Sequence, residues 1–540
     1  MSYTKRTKGI MTDYQIMSPD DYTALIFNGY QQAIGKETYN RVSKQLENYA
    51  YYNGRQHVDE YGRLVKAKDL PRPAGLDYDP TRYATNYFKA IVDRKARWQM
   101  GGKHGISVPR KKIDSFDEVS KDNYEPSPAQ AKENEIAENY ERLLYRLWEE
   151  NRMRAKLVQA ARDRLIADRV VCKIVYNDRT GKLRWIFRPD YEYIPVYSDD
   201  DFEELLEAHF VRNITYEVND EDVAAIRKQS FTLEGGKCYV QEAIYRESDL
   251  LLLETIQEKI PLGIDFIPIQ EFPVNELTAS EGDSEVAALR EQNDVLNQMN
   301  EDAIDSLKFE MFEITVITNA VPGSSDNFVK APGAVAEINS HGDAKAADIK
   351  NVQGSFGWKE AFKDQYARVK GAMHEISGLP QIVPQELNFG GLNGDALHVL
   401  FHDIITDTEE HWLSWGYNLA ELHEKSIKYL QARVSRPSFS YDKDAVTAIT
   451  NYDNEMRFVF PLPENRKDLV ELLELETLAG FESTKGAMER LGVEDIKSKQ
   501  HEIESENNKR NQSRYVEEDS ALFDVEESEP QKEVTQEDGE

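Results

Sequence analysis

A turn-rich stretch, GLPQIVPQELNFGGLNGDAL at residues 378–397, lies between two segments with strong helical periodicity. Before it, apolar residues recur at three- and four-residue spacing and predict a helix over residues 356–377. The apolar side of that helix consists of Phe362, Tyr366, Val369, Met373 and Ile376. Gly378 ends the helix, because Gly tolerates the left-handed conformation that terminates helices. Pro380 and Pro384 then keep the stretch itself non-helical.

The segment after this stretch predicts one uninterrupted helix. Asn393 and Asp395 are good N-cap residues, and no Pro occurs from there to about residue 434. At about 1.5 Å per residue such a helix is roughly 60 Å long. Its apolar side consists of Leu397, Phe401, Ile404, Trp412, Trp415, Leu419 and Leu422. The chain is therefore constrained to a helix, a short non-helical loop and a long helix.

The remaining patterns indicate a β region between further helices. Residues 129–169 contain neither Gly nor Pro and are amphipathic, which predicts one long helix. The sequences VVCKIVY, NDRTG and KLRWIFRP then predict a hairpin within a mostly antiparallel region. Helical periodicity returns over 284–312, with Leu296 on the apolar face and Asn297 on another, and a Gly- and Pro-rich module follows at 313–355. We therefore expect an α+β fold that is mostly helical.

Length and charge limit the classes of protein that remain. At 540 residues we expect two to four domains. No apolar run approaches the roughly 18 to 20 residues that span a bilayer, so we expect a cytoplasmic product without membrane association. The net charge of −32 disfavours a protein that grips nucleic acid over its whole surface. The isolated Cys172 and Cys238 argue against a disulfide scaffold or a thiolate metal site.

The sequence gives little support for catalysis. His398 and His402 are four residues apart on a predicted helix, a spacing that could bind zinc, and His411 lies further along. However, HVLFH lacks the Glu of HExxH, so packing on an apolar face is the favoured interpretation. GGKHG at 101–105 is not a P-loop, and we find no GxSxG or Cys/His signature. We therefore expect no catalytic residue, bound metal or cofactor.

Three lysines share one side of the helix predicted over residues 356–377. At 100° per residue, Lys359, Lys363 and Lys370 fall within about 40° of one another, beside the apolar side. Long lysine side chains commonly spread over an ordinary helix surface. They could equally face a negatively charged polymer, and the residues alone leave both interpretations open.

Several short sequences follow one another in a characteristic order. They are IPVYSDD, AHFVRNITY, EAIYRESDLLLLE, FIPIQEFPVNEL, EVAALREQNDVLNQMNEDAIDSL, HEISGLPQIVPQ, GGLNGDALHVLF, HWLSWGYNL and FPLPENRKDLVELLELETLAGFESTKGAMERLG. Each of these sequences is loose, but their order and spacing over residues 45–505 are much more specific. In this order the chain resembles the SPP1-like portal proteins of tailed bacteriophages.

This resemblance implies a portal fold with wing, stem, clip and crown regions, assembled as a ring that we expect to be a dodecamer. The regions are assigned in chain order. They are the wing at 41–283, a stem helix at 284–312, the clip at 313–355, a second stem helix at 356–378, a tunnel loop at 379–392, a long wing helix at 393–434, a wing return strand region at 435–460 and the crown at 461–514. An N-terminal arm at 1–40 and a tail at 515–540, which its acidic composition predicts to be disordered, fall outside the resemblance.

The resemblance also implies where the ring meets DNA. The loop residues that would face DNA are Gln381, Ile382, Val383, Pro384, Gln385, Glu386, Leu387 and Asn388. Its hinges would be Gly378, Gly390, Gly391 and Gly394, because Gly permits large backbone changes. Lys359, Lys363 and Lys370 would form rings of positive charge in the stem, while twelve copies at −32 each, or −384 in total, repel phosphate elsewhere.

The implied partners are double-stranded DNA passing through the channel, the terminase large subunit, the scaffold and major capsid proteins, and a head-completion protein. ATP hydrolysis would reside in the terminase, so the portal itself would be non-enzymatic. We expect the protein at the portal vertex of the virion, and in the host cytoplasm during assembly. The alternatives are a head–tail adaptor or minor capsid protein and, on the His398 and His402 pair, a metal-dependent hydrolase.

Overall fold

In the computed structural model the chain forms two compact units, Met1–Pro461 and Leu462–Glu540. The described residues are 35–71, 79–110, 127–198, 204–247, 251–274, 284, 287–311, 314–319, 321, 340, 346–352, 357–381, 399–461, 466–481, 484–491, 499, 502–503 and 505–506. The fold is α+β, and about half of it is helical.

Ten helices lie within these described ranges, eight in the first unit and two in the second. They are α1 Gly35–Tyr52, α2 Tyr87–Met100, α3 Pro128–Asn151, α4 Met153–Ala167, α5 Leu289–Met311, α6 Lys359–Ser377, α7 His402–Gln431, α8 Lys443–Ala448, α9 Arg466–Leu478 and α10 Thr484–Arg490. The strands are β1 His57–Val58, β2 Leu64–Val65, β3 Gly105–Ser107, β4 Arg169–Asn177, β5 Lys182–Pro189, β6 Tyr193–Tyr197, β7 Leu205–Val218, β8 Glu221–Glu234, β9 Lys237–Arg246, β10 Leu252–Pro261, β11 Ile269–Pro273, β12 Ile314–Thr318, β13 Asp348–Val352 and β14 Glu455–Arg457.

The strands form antiparallel sheets, as the sequence predicts. The largest has five strands in the order β10-β9-β8-β7-β6, and a second has three in the order β11-β4-β5. The predicted hairpin is β4 and β5, which turn at Gly181 with φ 68°. A Cβ on Gly181 would lie 1.5 Å from the carbonyl oxygen of Ser438, so only glycine fits there. Within the predicted module at 313–355, β12 pairs with β13.

The single helix predicted over residues 129–169 is wrong, because the chain breaks between α3 and α4. Arg152 adopts the left-handed conformation with φ 54°. The preceding Asn151 is buried, and its side chain donates to the carbonyl of Leu183 at 3.2 Å and accepts the amide of Trp185 at 2.9 Å. Bonds to β5 thus hold the end of α3, and α4 starts in a new direction.

The single helix predicted over residues 393–434 is interrupted at Phe401, and its predicted start at 393–398 lies outside the described residues. Residues 399 and 400 are helical, but Phe401 is not, with φ −101° and ψ 10°, and α7 ends at Gln431. The Phe401 ring lies 5.2 Å from that of Trp98 on α2, so a tertiary contact accompanies the interruption. Helix α7 has 30 residues and is therefore roughly 45 Å long.

Helix α7 passes through the core of the first unit. Its fully buried side chains include Trp415, Leu419 and Leu422. Two of its buried polar side chains bind indole groups of other elements, which avoids the cost of unpaired buried polar atoms. Thus Trp185 Nε1 donates to Ser426 Oγ at 2.8 Å, and Trp148 Nε1 donates to His423 Nε2 at 2.8 Å.

A buried charge network fixes α1 to the β region. The carboxylate of Asp190 is paired with the guanidinium groups of Arg41 and Arg169, and it accepts a hydrogen bond from Gln45 at 2.6 Å. Burial opposes ionisation, but the two arginines outweigh it, so the pKa of Asp190 is held below its ordinary value.

The second unit contains helices α9 and α10. Arg490 on α10 pairs with Glu476 on α9 at 2.7 Å, and Leu473 is buried.

Candidate channel-facing helix pair

Helices α5 and α6 pack side by side. Helix α6 places Trp358, Phe362 and Tyr366 in a row, with ring centroids 5.9 and 5.7 Å apart. At one end of the pair Trp358 Nε1 donates to Glu310 Oε1 on α5 at 3.0 Å. Ile376, predicted on the apolar side of α6, is 48% exposed. Helix α6 therefore uses its aromatic side chains, and not its last apolar residue, for packing.

The other end of the pair rests on α2. The hydroxyl oxygens of Tyr87 and Tyr366 are 3.0 Å apart, and Lys370 Nζ lies 5.6 Å from the centroid of the Tyr87 ring. Burial, followed by the neighbouring Tyr366, raises the pKa of Tyr87 to about 12, so its hydroxyl stays protonated. Lys370 is thus held against the body of the subunit.

The structure separates the three predicted lysines into two kinds. Lys359 and Lys363 lie on the first two turns of α6 and are exposed, whereas Lys370 is half-buried against Tyr87. Eleven residues separate Lys359 from Lys370, a distance along the axis of roughly 16 Å. Two of the three are therefore available to a ligand, and the third has a packing role.

The chain leaves α6 through an anchored turn. Gly378 has φ 65°, and its amide donates to the carbonyl of Glu375 at 3.2 Å, as predicted for the helix end. Leu379 is buried in the core, and its carbonyl lies 3.2 Å from His374 Nδ1. Gln381 is exposed. The other predicted loop residues, 382–388, and the hinges Gly390, Gly391 and Gly394 lie outside the described residues.

Helix α5 binds an extended segment through side chains spaced four residues apart. Asn293 Oδ1 accepts the amide of Tyr87 at 3.1 Å, and Asn297 Oδ1 that of Thr85 at 2.7 Å. Next, Glu301 Oε1 accepts the amide of Tyr83 at 2.8 Å, and the carboxylate of Asp305 accepts that of Thr81 at 3.0 Å. We call these four side chains and the amides they bind the polar ladder.

The geometry of the polar ladder follows from two repeats. Four residues of helix advance about 6.0 Å, and two residues of extended chain advance about 6.6 Å, so successive contacts stay in register. Asn293 and Asn297 are buried, and both donate to Gln56 Oε1, at 3.0 and 2.9 Å. Asn297 lies about 100° around α5 from Leu296, so it is on another face than the apolar one, and this face is buried as well.

The match to a known family covers all of these elements. The sequence model of the family described as phage portal protein, SPP1 Gp6-like, matches residues 33–513. The chain belongs to this family. The matched range includes the helix pair, the polar ladder and the anchored turn, so the resemblance found in the sequence is confirmed.

Two solved structures are similar to this portal protein at low identity. A chain from the virion of a native gene transfer agent particle is 13% identical, with 75% of this chain and 88% of that chain covered and a TM-score of 0.30. A chain from the neck of an empty gene transfer agent particle computed with C6 symmetry is 12% identical, with 75% and 89% covered and a TM-score of 0.34. TM-scores this low do not define the portal fold. No curated protein matches the chain.

The histidines of the hydrolase alternative are only partly described in this portal protein. His398 lies outside the described residues, while His402 is exposed and His411 is buried. Nine residues separate His402 from His411, which places them about 180° apart around α7. The described residues include no cluster of three or more His, Cys, Asp or Glu side chains able to hold a metal ion. Within the same residues, every helix is too short or too polar to cross a membrane.

Sequence reasoning missed the contacts that hold the portal helix pair to the subunit. The polar ladder has a sequence signal, namely acceptors at 293, 297, 301 and 305, but helical periodicity assigns such residues to solvent. A second missed contact is Lys95 on α2, whose Nζ lies 2.9 Å from Asp407 Oδ1 on α7. The elements on both sides of the 382–398 segment are thereby fixed to α2.

Proposed function

We propose that this portal protein assembles as a ring at one vertex of a phage capsid and encloses a channel for double-stranded DNA. The channel admits the genome during packaging and releases it during ejection. The observation that carries the proposal is the α5 and α6 pair within a chain that belongs to the portal family. One end of that pair is fixed to α2 through Tyr87, and the other bears Lys359 and Lys363.

The regions of the subunit follow the chain order given above. We assign α5 and α6 to the stem, the β12 and β13 module to the clip, and residues 379–392 to the tunnel loop. Residues 41–283, 393–434 and 435–460 form the wing, and residues 461–514 form the crown. This assignment is supported by the polar ladder, which couples α5 to the segment 81–87 and gives a stem helix a rigid attachment.

Charge determines how such a channel treats DNA. Each chain carries −32, so the assembled ring repels phosphate over most of its surface. Each phosphate neutralised by a cation adds affinity through counterion release, so many cations in the channel would hold the DNA in place. Two exposed lysines per subunit, Lys359 and Lys363, give local attraction that centres the duplex and leaves it mobile. Lys370 supports this arrangement from within the subunit.

The partners of the ring act at its different ends. The clip docks the terminase large subunit during packaging and a head-completion protein afterwards, while the wing meets the scaffold and major capsid proteins. ATP hydrolysis resides in the terminase, and the portal supplies no catalytic residue or cofactor. The protein is made in the host cytoplasm and ends at the portal vertex of the virion.

Electron microscopy and native mass spectrometry of the purified full chain test this proposal. We expect rings with a central channel and a mass near twelve times 62.1 kDa. Rings of another count would retain the channel and overturn only the dodecamer. A chain that stays monomeric over a wide range of concentration and salt would overturn the ring, and the head–tail adaptor would then be the function to test.

A further inference from the structure

Helix α2 carries an excess of positive charge in an acidic chain. Its 14 residues include four cations and one carboxylate, whereas the whole chain has 98 acidic and 66 basic residues. Lys95 is buried and paired with α7, and Asp93 is paired with Arg162 at 2.8 Å. The carboxylate of α2 is thus engaged by α4, while Arg94 and Arg97 lie at the surface.

Arg94 and Arg97 share one exposed side of α2. At 100° per residue they lie about 60° apart, and the exposed Ala90 projects between them. Within the described parts of the chain, neither arginine forms an ion pair. Both guanidinium groups are therefore open to a ligand from outside the subunit.

His374 continues the row of lysines on α6. In projection, Lys359, Lys363, Lys370 and His374 lie within about 60° of one another. Fifteen residues separate Lys359 from His374, a distance along the axis of roughly 22 Å. The row ends one turn before Gly378, where the chain leaves α6.

This row passes from α6 to α2 beside Tyr87. Lys370 Nζ lies 5.6 Å from the centroid of the Tyr87 ring, and Arg94 is two turns further along α2, on the side that bears Tyr87. Burial lowers the pKa of His374, and the positive charges of Lys370 and Arg94 lower it further, whereas the bond to Leu379 raises it. His374 is thus within electrostatic reach of a cation on each helix. We call Lys359, Lys363, Lys370, His374, Arg94 and Arg97 the basic row.

Carboxylates border the basic row without pairing with it. Those of α6, Glu360, Asp364 and Glu375, project from the adjoining side of that helix. Asp403 lies beside the turn after α6, with its Cβ 4.0 Å from the position of a Cβ on Gly378. Within the described residues, no member of the basic row forms an ion pair. The positive charge of the row is therefore presented to the outside of the subunit.

The shape of the basic row favours a polyanion as its ligand. Duplex DNA carries one negative charge per about 1.7 Å of its axis, so it can contact cations along the whole row. A single carboxylate of a protein partner could contact only one turn of it. The row also begins with Lys359 and Lys363, which we propose to face the DNA channel.

We propose that Arg94 and Arg97 bind phosphates of the duplex, so that the DNA-facing surface extends from α6 onto α2. The inference rests on the channel proposed above and adds contacts on the wing side of that channel. The two arginines make these contacts because a guanidinium group can donate two parallel hydrogen bonds to phosphate oxygens. Lys370 and His374 join them to the exposed lysines of α6. In a ring the contacts recur in every subunit and form a second belt of cations around the duplex.

Introduced cysteines measure how close the duplex comes to this surface. The natural Cys172 and Cys238 are buried, and burial raises the pKa of both thiols, so neither reacts readily. Ala90→Cys places a thiol between the two arginines of α2 and leaves both in place. Ala224→Cys, at an exposed position of β8, is the control. Each full-length variant is mixed at low salt with a short duplex that carries an iodoacetamide tethered to a backbone phosphate.

The rate of cross-linking is the readout. We expect the duplex to cross-link to Ala90→Cys at least about tenfold faster than to Ala224→Cys, because surface cations raise the local concentration of a polyanion. Adding Arg94→Ala and Arg97→Ala to Ala90→Cys should slow the reaction at least about fivefold and make duplex binding less dependent on salt.

The control for charge is Arg179→Ala with Arg184→Ala in the same Ala90→Cys background. It removes two exposed arginines of the β4 and β5 hairpin and should leave the reaction unchanged. Equal rates for the two cysteines, or no slowing without the arginines of α2, would overturn the inference, while rings seen by electron microscopy in the same samples would leave the proposed channel intact. Arginines of α2 that bind a peptide of residues 515–540 and not the duplex would belong to a contact with the acidic tail, which would also overturn it. A wild type that forms no ring would overturn the channel and this inference together.

Discussion

Asn297 Oδ1 accepts the backbone amide of Thr85 at 2.7 Å, which joins the middle of α5 to an extended segment more than 200 residues earlier in the chain. The same side chain donates to Gln56 at 2.9 Å, so one amide group bridges three parts of the subunit. This contact therefore couples α5 to the segment before α2. Its loss should be measurable at that segment.

Asn297→Ala should loosen the segment at Thr85. The change removes the acceptor of the Thr85 amide and one donor to Gln56, and an unsatisfied part-buried group costs about 1 to 3 kcal/mol. Hydrogen exchange of the peptide covering residues 81–87 should therefore speed up by at least about fivefold at fixed pH. Gln298→Ala, at the next and exposed position of α5, is the control and should leave the exchange unchanged. Equal effects of both changes would contradict the role given to Asn297.

His423 should make stability fall as the medium becomes acidic. Its Nε2 accepts from Trp148, and its Nδ1 lies 2.7 Å from Asn454 Oδ1, so the folded protein holds the neutral ring with the proton on Nδ1. Burial lowers the pKa of His423 to about 4 from an ordinary 6.5. The unfolded chain therefore gains a proton between about pH 6.5 and 4 that the folded chain does not. The loss of stability across this range is about 3 kcal/mol.

Comparison of the wild type with a variant that lacks this histidine isolates the pH effect. Denaturant unfolding of the wild type and of His423→Gln at several pH values between 4 and 8 gives the difference in the free energy of unfolding. Below pH 6.5 we expect the free energy of unfolding of the wild type to fall relative to that of the variant, because the Gln side chain does not titrate. A difference that is constant with pH would show that the pKa of His423 is the same in the folded and the unfolded protein, and would contradict this prediction.

Two glycines of α6 should respond to the same substitution with opposite signs. Gly378 has φ 65°, so Gly378→Ala forces a side chain into the left-handed region and costs about 1 to 2 kcal/mol. Gly371 lies within the helix, and a Cβ there would meet no atom within 4 Å. Gly371→Ala should therefore stabilise the protein by up to about 1 kcal/mol. Thermal unfolding of the two variants beside the wild type measures both effects, and a loss of stability in both would contradict the open space around Gly371.

The sequence predicts what local patterns determine. Helix α6 and its end at Gly378 follow from periodicity and from one glycine, and the β4 and β5 hairpin follows from alternation around a turn. The break at Arg152 could not be predicted, because the bonds that hold it come from Leu183 and Trp185, more than 30 residues away. At Phe401, too, the interruption coincides with a long-range contact, to Trp98.

The same reasoning explains why the candidate site was only partly predicted. Helical periodicity places Asn297 off the apolar face but does not predict its burial, since the amide that it binds belongs to a distant extended segment. The three lysines share one side of a helix in projection. Only the position of Tyr87 decides that Lys370 packs while Lys359 and Lys363 stay exposed.

Replacing Lys359 and Lys363 by Ala should impair DNA handling without weakening the subunit. Both are exposed, so their removal deletes positive charge from the surface that we propose lines the channel and leaves the packing of α6 unchanged. Lys370→Ala should act differently. It removes a cation from the face of Tyr87 and lowers the free energy of unfolding by about 0.5 to 1 kcal/mol.

The DNA retained in capsids assembled with each portal variant measures this role. Arg368→Ala is the matched control, because Arg368 is an exposed cation about 180° around α6 from Lys359. We expect the double lysine variant to retain less DNA than the wild type, and the deficit to shrink as rising salt screens the wild-type charges. An equal deficit in Arg368→Ala would mean that the net charge of the stem matters and the position of the lysines does not. Retention like that of the wild type in the double variant would remove Lys359 and Lys363 from the channel wall.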